Sequence, residues 1–171
     1  MALPSTYADP NCSLARALEI VGERWSLLIV RDAFYGVRRF GDFATQLGIP
    51  RASLNSRLKS LVEEGVLARE TDAGGAIEYQ LTDKGVALWP AVRALMAWGD
   101  EFYSPNGAKR ALRHDQDGGP LDAGGRCATC GAVIPVPEIQ IAPGPGFEAS
   151  GPAKDPVSAV LNTPRRLLQP I

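Results

Sequence analysis

A single histidine, His114, occurs in the 171 residues, and the three cysteines, Cys12, Cys127 and Cys130, are an odd number. His114 lies in a Gly/Pro-rich stretch, away from any serine or cysteine on a sharp strand-to-helix turn. No GxSxG, GxGxxG, HExxH or GxxxxGK[ST] pattern is present, and no carboxylate pair stands out from the other acids. An enzyme is therefore not expected. No apolar run reaches the length of a membrane span, and residues 1–12 have neither the basic nor the apolar segment of a secretory signal. An odd cysteine count does not make a disulfide framework, so a cytoplasmic protein is expected. Excess charge of either sign is also missing: 18 Lys+Arg face 19 Asp+Glu. A broadly basic coat is excluded, and any nucleic-acid binding must come from a local patch.

What is present is ordinary globular material, 45% hydrophobic and 22% charged, enough for one core and a small appendage. Ten of the 14 prolines and nine of the 18 glycines fall after residue 104. Three segments follow: 1–104 with the regular structure, 105–142 as a CxxC knuckle or hairpin appendage, and 143–171 as a Pro/Gly-rich tail. In the tail, Val157–Leu161 and Arg165–Leu168 are short apolar pieces that either dock on a body or stay disordered.

Within the first segment the periodicity is helical. Cys12–Val21 carries Leu14, Ala17, Leu18 and Val21 on one face and breaks at Gly22. Arg24–Tyr35 is a largely buried helix ended by Gly36 in a left-handed cap. Arg39–Leu47 places Phe40, Phe43 and Leu47 together; Gly48-Ile49-Pro50 is a tight turn; the next helix repeats Leu54, Leu58, Leu61 and Val62 and closes at Gly65. That is helix-turn-helix spacing. Val66–Glu70 and Ile77–Leu81 flank a Gly-Gly turn and read as a β-hairpin. Thr82 caps a long helix over Asp83–Tyr103, which Pro90 should kink or split. The fold class is mainly α with a small β-hairpin wing: a winged helix-turn-helix, plus a small C-terminal β knuckle, with strands at Val133–Val136 and Glu138–Ile141, and an irregular tail.

The inward stripe of the second helix leaves Ala52, Ser53, Ser56, Lys59 and Ser60 outward, with Asn55 and Arg57 on the flanks and Arg51 at the N-terminal end. Small side chains permit close approach to a groove, Asn and Ser read base edges, and Arg or Lys pairs with guanine or phosphate. Over residues 36–70 the basic residues are Arg38, Arg39, Arg51, Arg57, Lys59 and Arg69, while the acids gather mainly beyond the second helix's first half. Arg51, Ser53, Asn55, Ser56 and Lys59 are the groove candidates. Arg38, Arg39, Arg57 and Arg69 are the phosphate candidates, the first two beside a helix N-terminus. The wing tip carries Asp72 and no cation, so it should add little. The alternative is a winged-helix protein-interaction module without DNA binding.

Cys12-Ser-Leu-Ala-Arg-Ala-Leu, Gly22-Glu-Arg-Trp-Ser-Leu-Leu-Ile, Arg38-Arg-Phe-Gly-Asp-Phe, Ser53-Leu-Asn-Ser-Arg-Leu-Lys-Ser-Leu and Tyr79-Gln-Leu-Thr-Asp-Lys-Gly, in that order, resemble the HxlR-type winged-helix regulators. The resemblance implies a homodimeric bacterial transcription factor on an inverted-repeat DNA operator, dimerised through the N-terminal helix and the helix after the wing. It also implies that Cys12 occupies the position of a cysteine that some members use to sense oxidants or electrophiles. A thiol at a helix N-terminus, with Arg16 one turn on, suits that chemistry; an unreactive cysteine at the dimer seam is the other reading. The surplus of apolar surface on the two helices, Trp89 and Trp98 included, independently calls for a partner. Repressor action is expected, with release by an oxidant or by a small ligand held around Trp25, Trp89 and Trp98.

No cofactor is required by this reading. Cys127-Ala-Thr-Cys130-Gly131 has the shape of a metal knuckle, with His114 as a third zinc ligand and Asp115, Asp117 or another chain supplying the fourth. A second CxxC is missing, which favours a metal-free or partial knuckle over zinc, and a reversible Cys127–Cys130 disulfide is the remaining alternative.

Overall fold

The structure, a computed structural model, describes residues 11–147 and 155–171. The reading of residues 1–10 and the 148–154 part of the tail lie outside the described residues.

Helix α1 (Ser13–Val21) begins at Cys12, whose extended backbone lets Sγ accept the Ala15 N–H at 3.4 Å. Helix α2 (Ser26–Phe34) is the central element, with Ile29, Val30, Ala33 and Phe34 buried. Asp32 is buried on it as well; Arg31 donates to its Oδ1 through Nε at 2.9 Å and Nη2 at 2.7 Å. Burial pushes the Asp32 carboxyl above its usual range, and the Arg31 charge opposes that rise. Gly36 follows at φ +96°, and a Cβ there would also collide with the Gln169 carbonyl, so both stereochemistry and packing require glycine.

Helices α3 (Phe40–Leu47) and α4 (Arg51–Glu63) are joined through Gly48 in the left-handed conformation, buried Ile49 and Pro50. Leu54, Leu58 and Leu61 of α4 are buried as one stripe. Strands β1 (Leu67–Thr71) and β2 (Ile77–Leu81) form the antiparallel wing with Leu67 opposite Leu81 and Thr71 opposite Ile77. The Tyr79 N–H donates to the Arg38 carbonyl at 2.8 Å, which lays the segment before α3 alongside β2. The expected long helix is split into α5 (Asp83–Val86), capped by Thr82 Oγ1 accepting from Gly85 N at 3.1 Å, and α6 (Trp89–Tyr103). Pro90 sits in the first turn of α6, where its missing N–H costs no helical bond.

Beyond residue 104 the chain is more regular than its composition indicates. Strands β3 (Arg110–His114), β4 (Ile139–Pro143) and β5 (Arg165–Arg166) form an antiparallel sheet in the order β3-β4-β5, and α7 (Pro156–Leu161) packs beside it. The strand expected over Glu138–Ile141 exists with slightly shifted bounds, but its partner is β3. Val133–Val136 forms no strand: Pro135 and Pro137 have no N–H for a ladder, and the chain instead takes a 3-10 turn over Val136–Glu138. Both apolar pieces of the tail dock on this chain's own body. Val157, Leu161 and Leu167 are buried, and the Leu168 and Ile171 N–H groups donate to the Phe34 and Gly36 carbonyls at 2.7 and 3.1 Å. One apolar cluster therefore runs from Ile29 and Phe34 through Leu58 to Ile139, Ile141 and Leu161. Among the described residues no helix is long and apolar enough to cross a membrane.

Candidate nucleic-acid interface

The α3–turn–α4 unit is held by its apolar stripe, and that stripe decides what α4 presents outward. Arg51, Ala52, Asn55, Ser56 and Lys59 are exposed; Ser53, Arg57 and Ser60 are half-buried. Arg51 lies over the Phe40 ring, its guanidinium carbon 4.9 Å from the centroid, so the cation is held at the N-terminal end of α4 by an aromatic face of α3. Lys59 faces Glu63 at 3.7 Å across one helical turn, a weak pair for a side chain that is 73% exposed. Arg57 reaches Glu23 at 3.6 Å, in the loop before α2. Small polar groups and cations thus occupy the first two turns of the helix, with the acids behind them.

Arg38 and Arg39 are not free at the start of α3. Arg38 Nη1 lies 3.5 Å from Glu78 Oε2; Arg39 Nη2 donates to Asp72 Oδ2 at 2.8 Å, and its Nε lies 3.6 Å from Glu78 Oε1. Asp72 also accepts the Gly74 and Ala76 N–H groups, both at 2.8 Å, and so closes the wing turn. The Ala76 N–H foremost, then the Gly74 N–H and the Arg39 charge, hold its carboxyl below the usual range. Glu78 and Asp72 were missed as partners of these arginines because only the register of β2 against residues 38–39 brings them together. Arg69 is exposed on β1, opposite Tyr79.

Away from the helix-turn-helix residues, α1 and α6 expose Leu14 (66%), Trp98 (53%), Phe102 (61%) and Tyr103 (72%). Trp98 contacts the Phe102 and Tyr103 rings at centroid distances of 5.6 and 5.2 Å, making an aromatic ridge at the end of α6. Trp89 is not part of it: that side chain is buried against Phe34, centroids 4.9 Å apart. Within one chain Trp89 and Trp98 therefore do not share a surface. Trp89 instead lines a cleft of about 260 Å³ with Pro90, Arg93, Ile134 and Val136, between α6 and the knuckle. Cys12 is exposed, and Arg16 turns to Glu19 rather than to the thiol.

His114 and the Cys127/Cys130 pair, which lie in two separate turns, are brought into one cluster with Asp117. Asp115 is not in it; its carboxylate accepts from Arg166 Nε at 2.8 Å.

Comparison with known proteins agrees with this geometry. The profile of the HxlR-like helix-turn-helix family matches residues 20–107. The HTH-type transcriptional regulator Rv3095 of Mycobacterium tuberculosis, itself uncharacterised, is 48% identical over 140 residues, covering 80% of this chain and 89% of that protein. YvaP of Bacillus subtilis, likewise an uncharacterised HTH-type transcriptional regulator, is 36% identical over 96 residues, 53% of this chain and 87% of its own. Among solved structures, PA1607, a candidate transcription factor, superposes with a TM-score of 0.64 at 38% identity, covering 74% of this chain and 90% of that one.

Proposed function

Because this chain belongs to the HxlR-like helix-turn-helix family, and is a transcriptional regulator with a DNA-binding helix-turn-helix, we propose that it acts as a homodimeric repressor on a pseudo-palindromic operator. The observation that carries this reading is the outward strip of α4: Arg51, Asn55, Ser56 and Lys59, small or cationic, with no acid before Glu63. Such a strip suits the major groove, where the N-terminal part of a recognition helix meets base edges. In this assignment Arg51, Ser53, Asn55, Ser56 and Lys59 face the groove. Arg38, Arg39, Arg57 and Arg69 face phosphates, and the first three exchange a protein carboxylate for a DNA phosphate on binding.

Dimerisation through α1 and α6 accounts for the exposed Leu14 of α1 and the exposed Leu95, Trp98 and Phe102 of α6, large apolar side chains that a partner would cover. A two-fold pair presents its α4 helices about one DNA turn apart, hence the palindromic site. The exposed Cys12 at the start of α1 is the oxidant-responsive group in this reading, and a change there acts on the dimer helices directly. A small ligand is the other class of releasing signal. No catalytic step is part of this role, which is exercised where the chromosome is, in the cytoplasm.

The experiment is binding of the purified protein to its own upstream DNA by gel shift, with salt titration and excess non-specific competitor. Tight, competitor-resistant and salt-sensitive binding supports the regulator reading. No preference over competitor across several neighbouring promoters would overturn the operator assignment and favour a protein-interaction module.

A further inference from the structure

Two separate turns build one four-ligand cluster outside the winged helix. The first follows β3: the His114 N–H donates to the Gly119 carbonyl at 2.9 Å, the Gly118 N–H to the His114 carbonyl at 2.8 Å, and the Gly119 N–H to Asp117 Oδ1 at 2.8 Å. These bonds fix His114 and Asp117 on one side. The second is the knuckle, where the Cys127 N–H donates to the Ala132 carbonyl at 2.8 Å and the Gly131 N–H to the Cys127 carbonyl at 2.9 Å. The Thr129 N–H points at Cys127 Sγ, 3.4 Å away, as backbone donors do around a thiolate. The turns meet at Gly119, where any Cβ would collide with Cys127 Sγ and Thr129 Oγ1.

Where they meet, His114 Nδ1 lies 3.0 Å from Asp117 Oδ2 and 3.7 Å from Cys130 Sγ, and Cys127 Sγ lies 3.3 Å from Asp117 Oδ1. All four ligand atoms are within 4.8 Å of one another. Zinc bonds of about 2.3 Å to sulfur and about 2.0–2.2 Å to nitrogen or oxygen, arranged tetrahedrally, give ligand–ligand edges of about 3.4–3.8 Å. The separations of 3.0, 3.3 and 3.7 Å fall within about half an ångström of such edges, and the rest stay within 4.8 Å, so small side-chain adjustments close the four ligands on one ion. Two thiols, one imidazole and one carboxylate form a donor set that zinc favours over magnesium or calcium. We propose that His114 Nδ1, Asp117, Cys127 and Cys130 bind one zinc(II) ion per chain in a closed structural site. Four protein ligands leave no open position, so the ion is structural and not catalytic. It ties the loop after β3 to the knuckle, which α6 holds through Arg93 donating to the Leu121 carbonyl at 3.0 Å. His114 Nε2, buried and without a hydrogen-bond partner among the described residues, faces Glu138 Oε2 at 3.7 Å, the side on which a zinc-bound histidine keeps its outer carboxylate.

The test uses the full-length reduced protein, stripped with chelator, desalted and titrated with cobalt(II), then zinc(II). One equivalent of cobalt should give the intense visible bands of a tetrahedral ion and a sulfur-to-metal charge-transfer band, both abolished by zinc. Cys130→Ser and Cys127→Ser should lose the charge-transfer intensity, Asp117→Asn should shift the visible bands, and Cys12→Ser should match wild type. In the wild-type chain, independently of any variant's folding, zinc should slow alkylation of Cys130 read by mass spectrometry. A wild type with no sulfur charge transfer, a Cys130→Ser spectrum like wild type, or Cys130 alkylation indifferent to zinc would overturn the site.

Discussion

Arg39 Nη2 donates to Asp72 Oδ2 at 2.8 Å, so the residue that precedes the first helix of the helix-turn-helix is held by the tip of the wing. Asp72 is thus more than an acid in an unpromising place: it closes the wing turn and neutralises a cation of the proposed DNA face. Asp72→Asn keeps an oxygen for the Gly74 and Ala76 N–H groups and removes the charge that occupies Arg39. Non-specific DNA affinity should rise at low salt, because Arg39 no longer has to leave a carboxylate to meet a phosphate. Fluorescence anisotropy measures this; an unchanged affinity would place Arg39 away from the phosphates.

Arg69 and Asn55 should separate affinity from specificity. Arg69→Ala, at an assigned phosphate contact, should weaken operator and random DNA alike and reduce the salt slope by about one. Asn55→Ala should cost about 1–3 kcal/mol on operator and relax one base position, with little change on random DNA. If Lys59→Ala and Arg51→Ala both bound like wild type at equal salt, α4 would not present this face.

The two α6 tryptophans should fail in different ways. Trp89 is buried against Phe34, and Trp89→Ala should lower folding stability by about 3–5 kcal/mol. Trp98 is exposed, and Trp98→Asp should leave the thermal transition of the dilute chain nearly intact while shifting sedimentation towards monomer. A monomeric wild type at the same concentration would remove the dimer.

Tyr35 gives a pH dependence with a definite sign. Burial, above all, raises its phenol from 10.0 to about 12, and its hydroxyl faces Met96 Sδ at 3.7 Å. For an acid whose folded pKa is raised, the contribution to stability is complete below the unfolded value and lost as pH rises through the folded one. Stability should therefore fall between pH 10 and about 12, and Tyr35→Phe should remove that part of the decline in a denaturant series.

The winged helix was legible from sequence because its signals are local. The Leu54/Leu58/Leu61 stripe, the Gly48-Ile49-Pro50 turn, the alternation over Ile77–Leu81 and the break at Pro90 each act within a few residues, through side-chain period and backbone stereochemistry. The outward residues of α4 follow from the same arithmetic, as the remainder once the stripe is turned inward.

Only the tertiary structure decided what meets across long separations. Nothing in the spacing pairs Arg39 with Asp72, β3 with β4, or Gly36 with the Gln169 carbonyl, because those contacts depend on how loops close rather than on periodicity. Trp89 and Trp98 fall on opposite faces of a helical wheel, but only packing against α2 says which of those faces is covered. Asp115 and Asp117 were equal candidates beside His114. The fold turned Asp115 to Arg166 and Asp117 to the two thiols: both follow the end of β3 at His114, where the alternation of a strand no longer orders side chains, and only packing says which side holds the cysteines.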